Sequence, residues 1–410
     1  MTMKLASLWT SLVFSGLAAA MPAHAADKIA KIGVLAPLTG GSAADAREMV
    51  DGAKLAVDVI NARGGAAGYK LQVVVGDAQD SSADKVTSAI ERLTGERELN
   101  AIVTGYASAG NFEINIMAEQ DMPYLLYGSA NQTRDIIAPH PDKFPTVWSL
   151  SPSFDAYETD MIPVVQALEK SGKLKLPNKK VAFIAPDIPY SKTIMNGLIK
   201  NFKEAGWTIT SADLVPWGTI DDWRTFLAKV RQDNPAVIMN IDPQTGNAAK
   251  FITQFLEQPT DSIVFIQYAP AIPEFLKLTG KKSTGVIYNL IGGTIPNART
   301  AEIIKEFTKT YGYEPGSTAP AVYEEVMIYA DALKKVGDPT KRLAIGKAIG
   351  ETRKEVAQGM LSFDPKTHLA VQGDDALPVL FYQIWDGKHV LFSPKQYLNG
   401  EFRMPPWMKP

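Results

Sequence analysis

The residues of this chain that could do chemistry are hydroxyls and aromatics in glycine-rich loops, and their spacing does not fit catalysis. Ser108 stands in Gly105-Tyr-Ala-Ser-Ala-Gly110, which is not the Gly-x-Ser-x-Gly turn that exposes a nucleophilic serine. Such a serine also needs a base. Beyond the first 25 residues the histidines are His140, His368 and His389, each isolated and flanked by loop-like residues. Gly280-Lys-Lys-Ser-Thr284 has the look of the end of a phosphate-binding loop, but Phe275 occupies the place of its leading glycine. The pairs Asp221-Asp222 and Asp374-Asp375 fall in loop-like or N-cap contexts, where solvation or helix capping is the ordinary role. With no cysteine in the chain, thiol catalysis, thiolate metal sites and iron–sulfur clusters are excluded. Scattered histidines offer no metal cluster either. No catalytic residue, metal or cofactor is expected.

The same residue types fit a binding surface better. Four small-residue loops lie between a strand-like run and a helical pattern: Pro37-Leu-Thr-Gly-Gly-Ser42, Gly105–Gly110, Tyr127-Gly-Ser-Ala-Asn131 and Asp187-Ile-Pro-Tyr-Ser191. In an open parallel sheet, ligands lie at the carboxyl ends of strands, where such loops turn backbone N–H groups and helix N-termini towards them. Any one loop reads as a tight turn. Together, and carrying Ser42, Ser108 and Ser129, they predict a polar cleft. Tyr106, Tyr127, Tyr190, Trp217 and Tyr268 lie in loops expected to face that cleft. Tyrosine and tryptophan join a flat apolar face to a hydrogen-bonding edge, so a partly apolar or aromatic ligand is expected.

The elements that must position these loops alternate short apolar runs with longer amphipathic segments, the pattern of a parallel sheet flanked by helices. Strands are predicted at 29–36, 71–75, 101–103, 124–126 and 147–150, with helices at 48–62, 83–93 and 111–119 between them. In the first helix Met49, Ala53, Leu55, Ala56, Val59 and Ile60 form one stripe. Gly64-Gly65 then supplies the left-handed stop. A second series begins near Asp155, with strands at 181–185, 208–214, 237–241, 263–266 and 286–290. Its helices are predicted at 157–170, 194–204, 223–231, 248–257 and 273–277. Helices at 301–310, 319–336 and 343–349 follow, then a hairpin turning at Asp386-Gly387. The fold class is therefore α/β, with two doubly wound parallel-sheet lobes between which the chain crosses more than once.

Composition and the amino terminus narrow the setting. Lys4, an uncharged apolar stretch over Leu5–Met21 and the small-residue pattern Ala23-His24-Ala25 read as a secretory leader cut after Ala25. The periplasm is therefore the expected location. About 385 of the 410 residues remain, enough for two domains at about 150 residues each. A net charge of −2 gives no concentrated basic face for nucleic acid or an anionic membrane. No later stretch approaches the roughly 18 apolar residues of a spanning helix.

Several ordered segments carry a resemblance: Lys31–Gly40, Asp51–Gly65, Leu71–Asp80, Met122–Asn131, Ser151-Pro-Ser-Phe-Asp155, Tyr190 after a strand, and Gly359-Met-Leu-Ser-Phe-Asp364. The set is similar to the leucine/isoleucine/valine-binding protein family, type I periplasmic binding proteins that serve ABC importers. It covers nearly the whole chain in collinear order. The resemblance implies two lobes joined by three hinge crossovers near Ser151-Pro152, Gly292-Gly293 and Leu377-Pro378. By position, lobe one is 27–152 with 293–377, and lobe two is 153–292 with 378–410. A small-molecule ligand, an inner-membrane permease with its cytoplasmic ATPase, and a monomeric state are the implied partners and assembly.

The resemblance also assigns roles. Ser42, Ser108, Gly128 and Ser129 would anchor a polar head from lobe one, with Tyr106 and Tyr127 beside them. Asp155, Tyr190, Trp217, Asp242 and Tyr268 would close over it from lobe two. Where amino-acid-binding members carry a threonine after Gly-Ser, this chain has Ala130, and the lobe-two loop Ile266-Gln-Tyr-Ala-Pro270 lacks the acidic residue that pairs with an ammonium. An unpaired buried ammonium costs several kcal/mol. The altered clamp therefore favours a partly aromatic solute, an amide or a carboxylate, over a standard amino acid. The rival readings are a ligand-sensing module of the same fold, which would need an anchor or signalling domain, and an exported hydrolase, which would need a nucleophile with a nearby base.

Overall fold

The computed structural model describes residues 28–409 apart from 97, 109 and 129. The leader predicted over residues 1–25 lies outside them, and so does Ser129. In chain order the elements are β1 (Lys28–Ala36), α1 (Ala43–Ala62), β2 (Tyr69–Asp77), α2 (Ala83–Glu96), β3 (Ala101–Thr104), α3 (Glu113–Glu119), β4 (Tyr124–Leu126), α4 (Ala130–Ile137) and β5 (Val147–Ser149). The second series runs α5 (Asp155–Thr159), α6 (Met161–Lys170), β6 (Lys180–Pro186), α7 (Pro189–Glu204), β7 (Thr208–Val215), α8 (Arg224–Asp233), β8 (Val237–Asn240), α9 (Thr245–Phe255), β9 (Ile263–Ile266), α10 (Pro273–Thr279) and β10 (Ile287–Ile291). Then come α11 (Ala298–Tyr311), α12 (Thr318–Val336), α13 (Arg342–Gly350), β11 (Arg353–Val356), β12 (Gly359–Ser362), β13 (Val379–Trp385) and β14 (Lys388–Ser393).

Among the described residues these strands form two large sheets and a small hairpin. The first sheet is wholly parallel in the order β2-β1-β3-β4-β5. The second runs β14-β13-β10-β9-β8-β6-β7, with β13 and β14 antiparallel. Helices cover both faces of each sheet, which is why β3, β8 and β9 are apolar and buried throughout rather than alternating. The molecule is thus α/β with two lobes. The chain passes between them after β5, after β10 and before β13. The segment before the last passage lies along β5, where Ser149 N–H donates to His368 O at 2.9 Å and Ala370 N–H to Ser149 O at 2.9 Å.

Lobe one is built on the packing of α1 against α12. Gly52 makes that approach possible, since a Cβ there would lie 2.3 Å from Ala319 O. The apolar stripe of α1 and most of α12 share one core with β1, β3 and the 345–377 segment. Two cores in lobe two lie on opposite faces of its sheet, and the chain's end joins one of them through Phe402 and Met408.

The structure differs from the sequence reading in several places, and α1 begins at Ala43 and α7 at Pro189, each five residues before the predicted start. The predicted 157–170 helix breaks at Asp160 into α5 and α6. Helix α3 starts at Glu113, not 111, because Asn111 sits at φ 50°. Helix α4 (Ala130–Ile137) is not among the predicted elements, because its stretch is too polar to show a clear apolar stripe. The hairpin of β11 and β12 is an element that the sequence reading does not assign, as is the course of the tail beyond residue 393. That tail is tied down by Gln383, whose amide group donates to Arg403 O at 2.8 Å and accepts from Arg403 N–H at 3.0 Å.

Candidate functional site

The carboxyl ends of the parallel strands in both lobes face one another, and the loops leaving them enclose a cavity of about 90 Å³. Lobe one contributes Ser42 after β1, Ser81 after β2, Tyr106 and Ser108 after β3, and Tyr127 and Gly128 after β4. Lobe two contributes Phe154, Tyr157, Ile188, Tyr190, Trp217, Pro243, Tyr268 and Ile291, with Ser151 at the first passage between lobes. Since a bound water occupies on the order of 10–15 Å³ by such a measure, the space suits a molecule of roughly six to nine heavy atoms. Aromatic rings dominate the wall, and the polar side-chain groups among its described residues are hydroxyls and the Trp217 indole N–H. Among the described lining residues none carries a formal charge.

Gly128 lets the β3 and β4 loops meet: a Cβ there would lie 2.8 Å from Tyr106 Cβ and 2.9 Å from Gly105 O. Tyr127 turns its hydroxyl to the passage after β10, donating to the carbonyls of Ile291 and Gly292 at 3.0 Å each. Tyr157 accepts from Ile291 N–H at 3.0 Å. Tyr268 is the most constrained of the aromatics. Its backbone lies at φ 62°, ψ −55°, and Ala269 N–H bonds Gln267 O at 2.7 Å. This is the strained γ-turn with positive φ, and strain of this kind is held where surrounding contacts over-determine it. Those contacts are in the other lobe: the Tyr268 hydroxyl donates to Asp45 Oδ2 at 3.0 Å and lies 3.0 Å from Thr318 Oγ1.

Carboxylates stand behind the wall, not in it. Asp45 is 3% exposed and takes a second hydroxyl, from Tyr106, at 2.7 Å. Its Oδ1 has no hydrogen-bond partner. Burial pushes the Asp45 carboxyl up to about 6, against the pull of the Tyr106 and Tyr268 hydroxyls. One turn on, burial pushes Glu48 up to about 8, with the Gly316 N–H opposing and the charge of Asp45 adding. Glu113, fully buried, accepts from Ser108 Oγ at 2.6 Å and from the Tyr124 hydroxyl at 3.3 Å, and burial raises its carboxyl too.

Of the predicted site residues, the structure brings Ser42, Tyr106, Ser108, Tyr127, Gly128, Tyr190, Trp217 and Tyr268 to the cavity. Asp155 and Asp242 are not brought there. Asp155 starts α5 and pairs with Arg134 Nη1 of lobe one at 2.8 Å on the surface, while its neighbour Phe154 lines the cavity. Asp242 is buried within its own loop, accepting from Gln244 N–H at 2.9 Å and Asn247 Nδ2 at 2.8 Å, and Pro243 takes the lining position. Sequence reasoning missed Ser81, Ser151, Phe154, Tyr157, Ile188, Pro243 and Ile291, and the carboxylates Asp45 and Glu113. Asp45 follows Ser42 by three residues, as in a capping box, but Ser42 makes no side-chain cap bond and Asp45 is left to serve the tyrosines.

A model of the family described as periplasmic binding protein matches residues 30–384. Leu/Ile/Val-binding protein homolog 8 of Brucella abortus is 26% identical over 241 residues, which is 58% of this chain and 54% of that protein. The match thus spans about half the length of that relative. The structure is similar to a candidate branched-chain amino acid ABC transporter protein from Silicibacter pomeroyi, with TM-score 0.82 and 27% identity over 93% of this chain and 100% of the other. It also shares its fold with an ABC transporter solute binding protein from Rhodopseudomonas palustris BisB5 in complex with 3,4-dihydroxybenzoic acid, with TM-score 0.74 and 20% identity over 90% and 98% of the two chains. The collinear match and the two-lobed cleft agree, and the chain belongs to the periplasmic binding protein family.

Proposed function

We propose that this chain is the solute-capturing component of an ABC importer of the branched-chain amino acid type. It works in the periplasm after removal of its leader behind Ala25, and delivers solute to an inner-membrane permease driven by a cytoplasmic ATPase. It binds and releases without chemical conversion. The observation that carries this reading is the cavity itself: both lobes supply its wall, and the lobes are held together over it by the Asp45–Tyr268 bond at 3.0 Å. A solute in that space touches both lobes only when they are closed, so its binding energy favours the closed form.

The lobes in this reading are 27–152 with 293–377 and 153–292 with 378–410. Core packing supports those limits, since Ile303, Phe307, Ile345, Leu361 and Leu377 pack with lobe one and Val379, Phe381, Phe402 and Met408 with lobe two. Tyr127 at the middle passage is the pivot. The solute is small and partly apolar or aromatic, of the amino acid, amide or carboxylate classes, because the wall is rich in aromatic rings and its described residues carry no formal charge. Ser42, Ser108 and Gly128 contact its polar head from lobe one, and Tyr190, Trp217 and Tyr268 cover it from lobe two. A panel of amino acids, amides, ureas and aromatic acids, read by thermal shift and small-angle scattering, tests the reading. At least one class should raise Tm and shrink the radius of gyration. A panel that leaves both unchanged overturns it.

A further inference from the structure

Two carboxylates of α1 lie one turn apart under the seam between the lobes. Asp45 is 3% and Glu48 2% exposed, and lobe two supplies part of the cover of each. Tyr268 reaches Asp45 Oδ2 from the loop after β9 at 3.0 Å. Glu48 shares a small space with Ile272, Pro273 and Lys277 at the start of α10. Beside it, a Cβ on Gly316 would lie 2.5 Å from Ala271 O of lobe two and 3.0 Å from both Glu48 oxygens.

The groups facing the pair do little to hold it ionised. Around Asp45 stand the hydroxyls of Tyr106, Tyr190 and Tyr268, which carry no formal charge. Around Glu48 stand Arg47, Tyr313, Glu274 and Lys277. Lys277 pairs with Glu274 at 3.3 Å, and Arg47 lies over the Tyr313 ring at 5.4 Å, so the nearby cations are engaged elsewhere. Gly316 N–H donates to Glu48 Oε1 at 2.8 Å, while Asp45 Oδ1 has no hydrogen-bond partner. Like charges on neighbouring turns, shut away from water without a paired cation, favour the protonated form.

We propose that solute capture takes up protons at Asp45 and Glu48, which makes closure of the lobes sensitive to pH. The inference rests on the solute-capture reading and adds a second ligand to it, the proton. Burial pushes the closed-form carboxyls up to about 6 for Asp45 and about 8 for Glu48. Parting the lobes removes the Tyr268 and α10 cover, admits water and favours the ionised forms again. The closed form therefore binds more protons than the open one, and solute affinity falls as pH rises.

Calorimetric titration of the full mature protein with leucine, glutamate, benzamide, benzoate and urea tests this. At pH 7, the difference in heat between phosphate and Tris buffers reads the protons taken up. A probe that binds should take up about half a proton or more per site. Its affinity should fall at least fivefold from pH 6 to pH 8, where none of the five probes changes charge. Binding with no uptake and a flat affinity overturns the inference and leaves the capture reading standing. Silence from all five removes the capture reading and this inference with it. Glu48→Gln should cut the uptake at pH 7 by more than half, and Asp45→Asn should cut the uptake at pH 6. Loss of packing alone would weaken binding without changing its proton count. Unchanged uptake in both folded variants overturns the assignment, and if neither folds, the wild-type uptake decides.

Discussion

The Tyr268 hydroxyl donates across the cleft to Asp45 Oδ2 at 3.0 Å, joining a strained loop of one lobe to the first helix of the other. Neither residue satisfies its partner elsewhere in its own lobe in the same way. Asp45 keeps Tyr106 as a donor when the lobes part, but Tyr268 reaches Asp45 and Thr318 only when they meet. Tyr268→Phe keeps the ring and removes the bond. Hydrogen bonds to charged groups are worth about 1.5–3 kcal/mol, so ligand affinity should fall roughly tenfold or more by calorimetry. Unchanged affinity would mean that the bond plays no part in closure.

Trp217 separates a binding role from a stability role. It lines the cavity yet is 39% exposed, so it contributes little to either core. Trp217→Ala should change stability by no more than about 0.5 kcal/mol, as for other surface substitutions. Ligand affinity should fall at least fivefold, measured on the same preparation. A drop in Tm with intact affinity would reverse the assignment.

Asp155 provides the contrasting case. Its pair with Arg134 bridges the lobes at 2.8 Å, but the Asp155 side chain is 59% exposed. Exposed ion pairs are worth about 0–1 kcal/mol and are screened by salt. Asp155→Ala should therefore alter affinity less than about fivefold, and the difference should vanish in high salt. A larger, salt-independent loss would place the carboxylate on the ligand.

Stability should decline as pH rises through the neutral range. Asp45 is raised from 3.8 to about 6 and Glu48 from 4.5 to about 8, so the folded protein binds more protons than the unfolded chain between those values. Their contribution is fully present below the unfolded values and is lost as pH climbs through the folded ones. Glu48→Gln removes the larger effect, so the slope of Tm between pH 5 and 8 should flatten relative to wild type. An unaltered slope would contradict the burial of Glu48 as its cause.

Gly52→Ala tests the α1–α12 contact. Alanine is favoured over glycine within a helix by about 1 kcal/mol, but the added methyl would meet Ala319 O at 2.3 Å. Overpacking a close contact costs about 1–3 kcal/mol, so the balance should be a lowered Tm in thermal melts. A raised Tm would show that α12 can shift away.

The lobes were legible in the sequence because their strands are short apolar runs and their loops are rich in small residues. The resemblance supplied the order of the three passages, which periodicity alone cannot. The cavity was legible where a loop residue points along its own strand, as with Tyr106, Ser108 and Tyr127. It was not legible where the lining residue sits beside a polar one, as with Phe154 beside Asp155 and Pro243 beside Asp242. There the carboxylate drew the assignment although its side chain turns away. Asp45 and Glu113 were hidden for another reason: each lies inside a helix, where an acidic residue ordinarily faces water, and only the tertiary fold shows the hydroxyls aimed at it.

Among the described lining residues, Trp217 alone is exposed, and this has a consequence for time rather than affinity. In the capture reading, a solute held by both lobes leaves when they part, which breaks the Tyr268–Asp45 bond. Its residence time is the lifetime of the closed form. Observed association should saturate at the opening rate as solute concentration rises, whatever the solute. A permease that prises the seam apart would therefore set the pace of release without touching the solute.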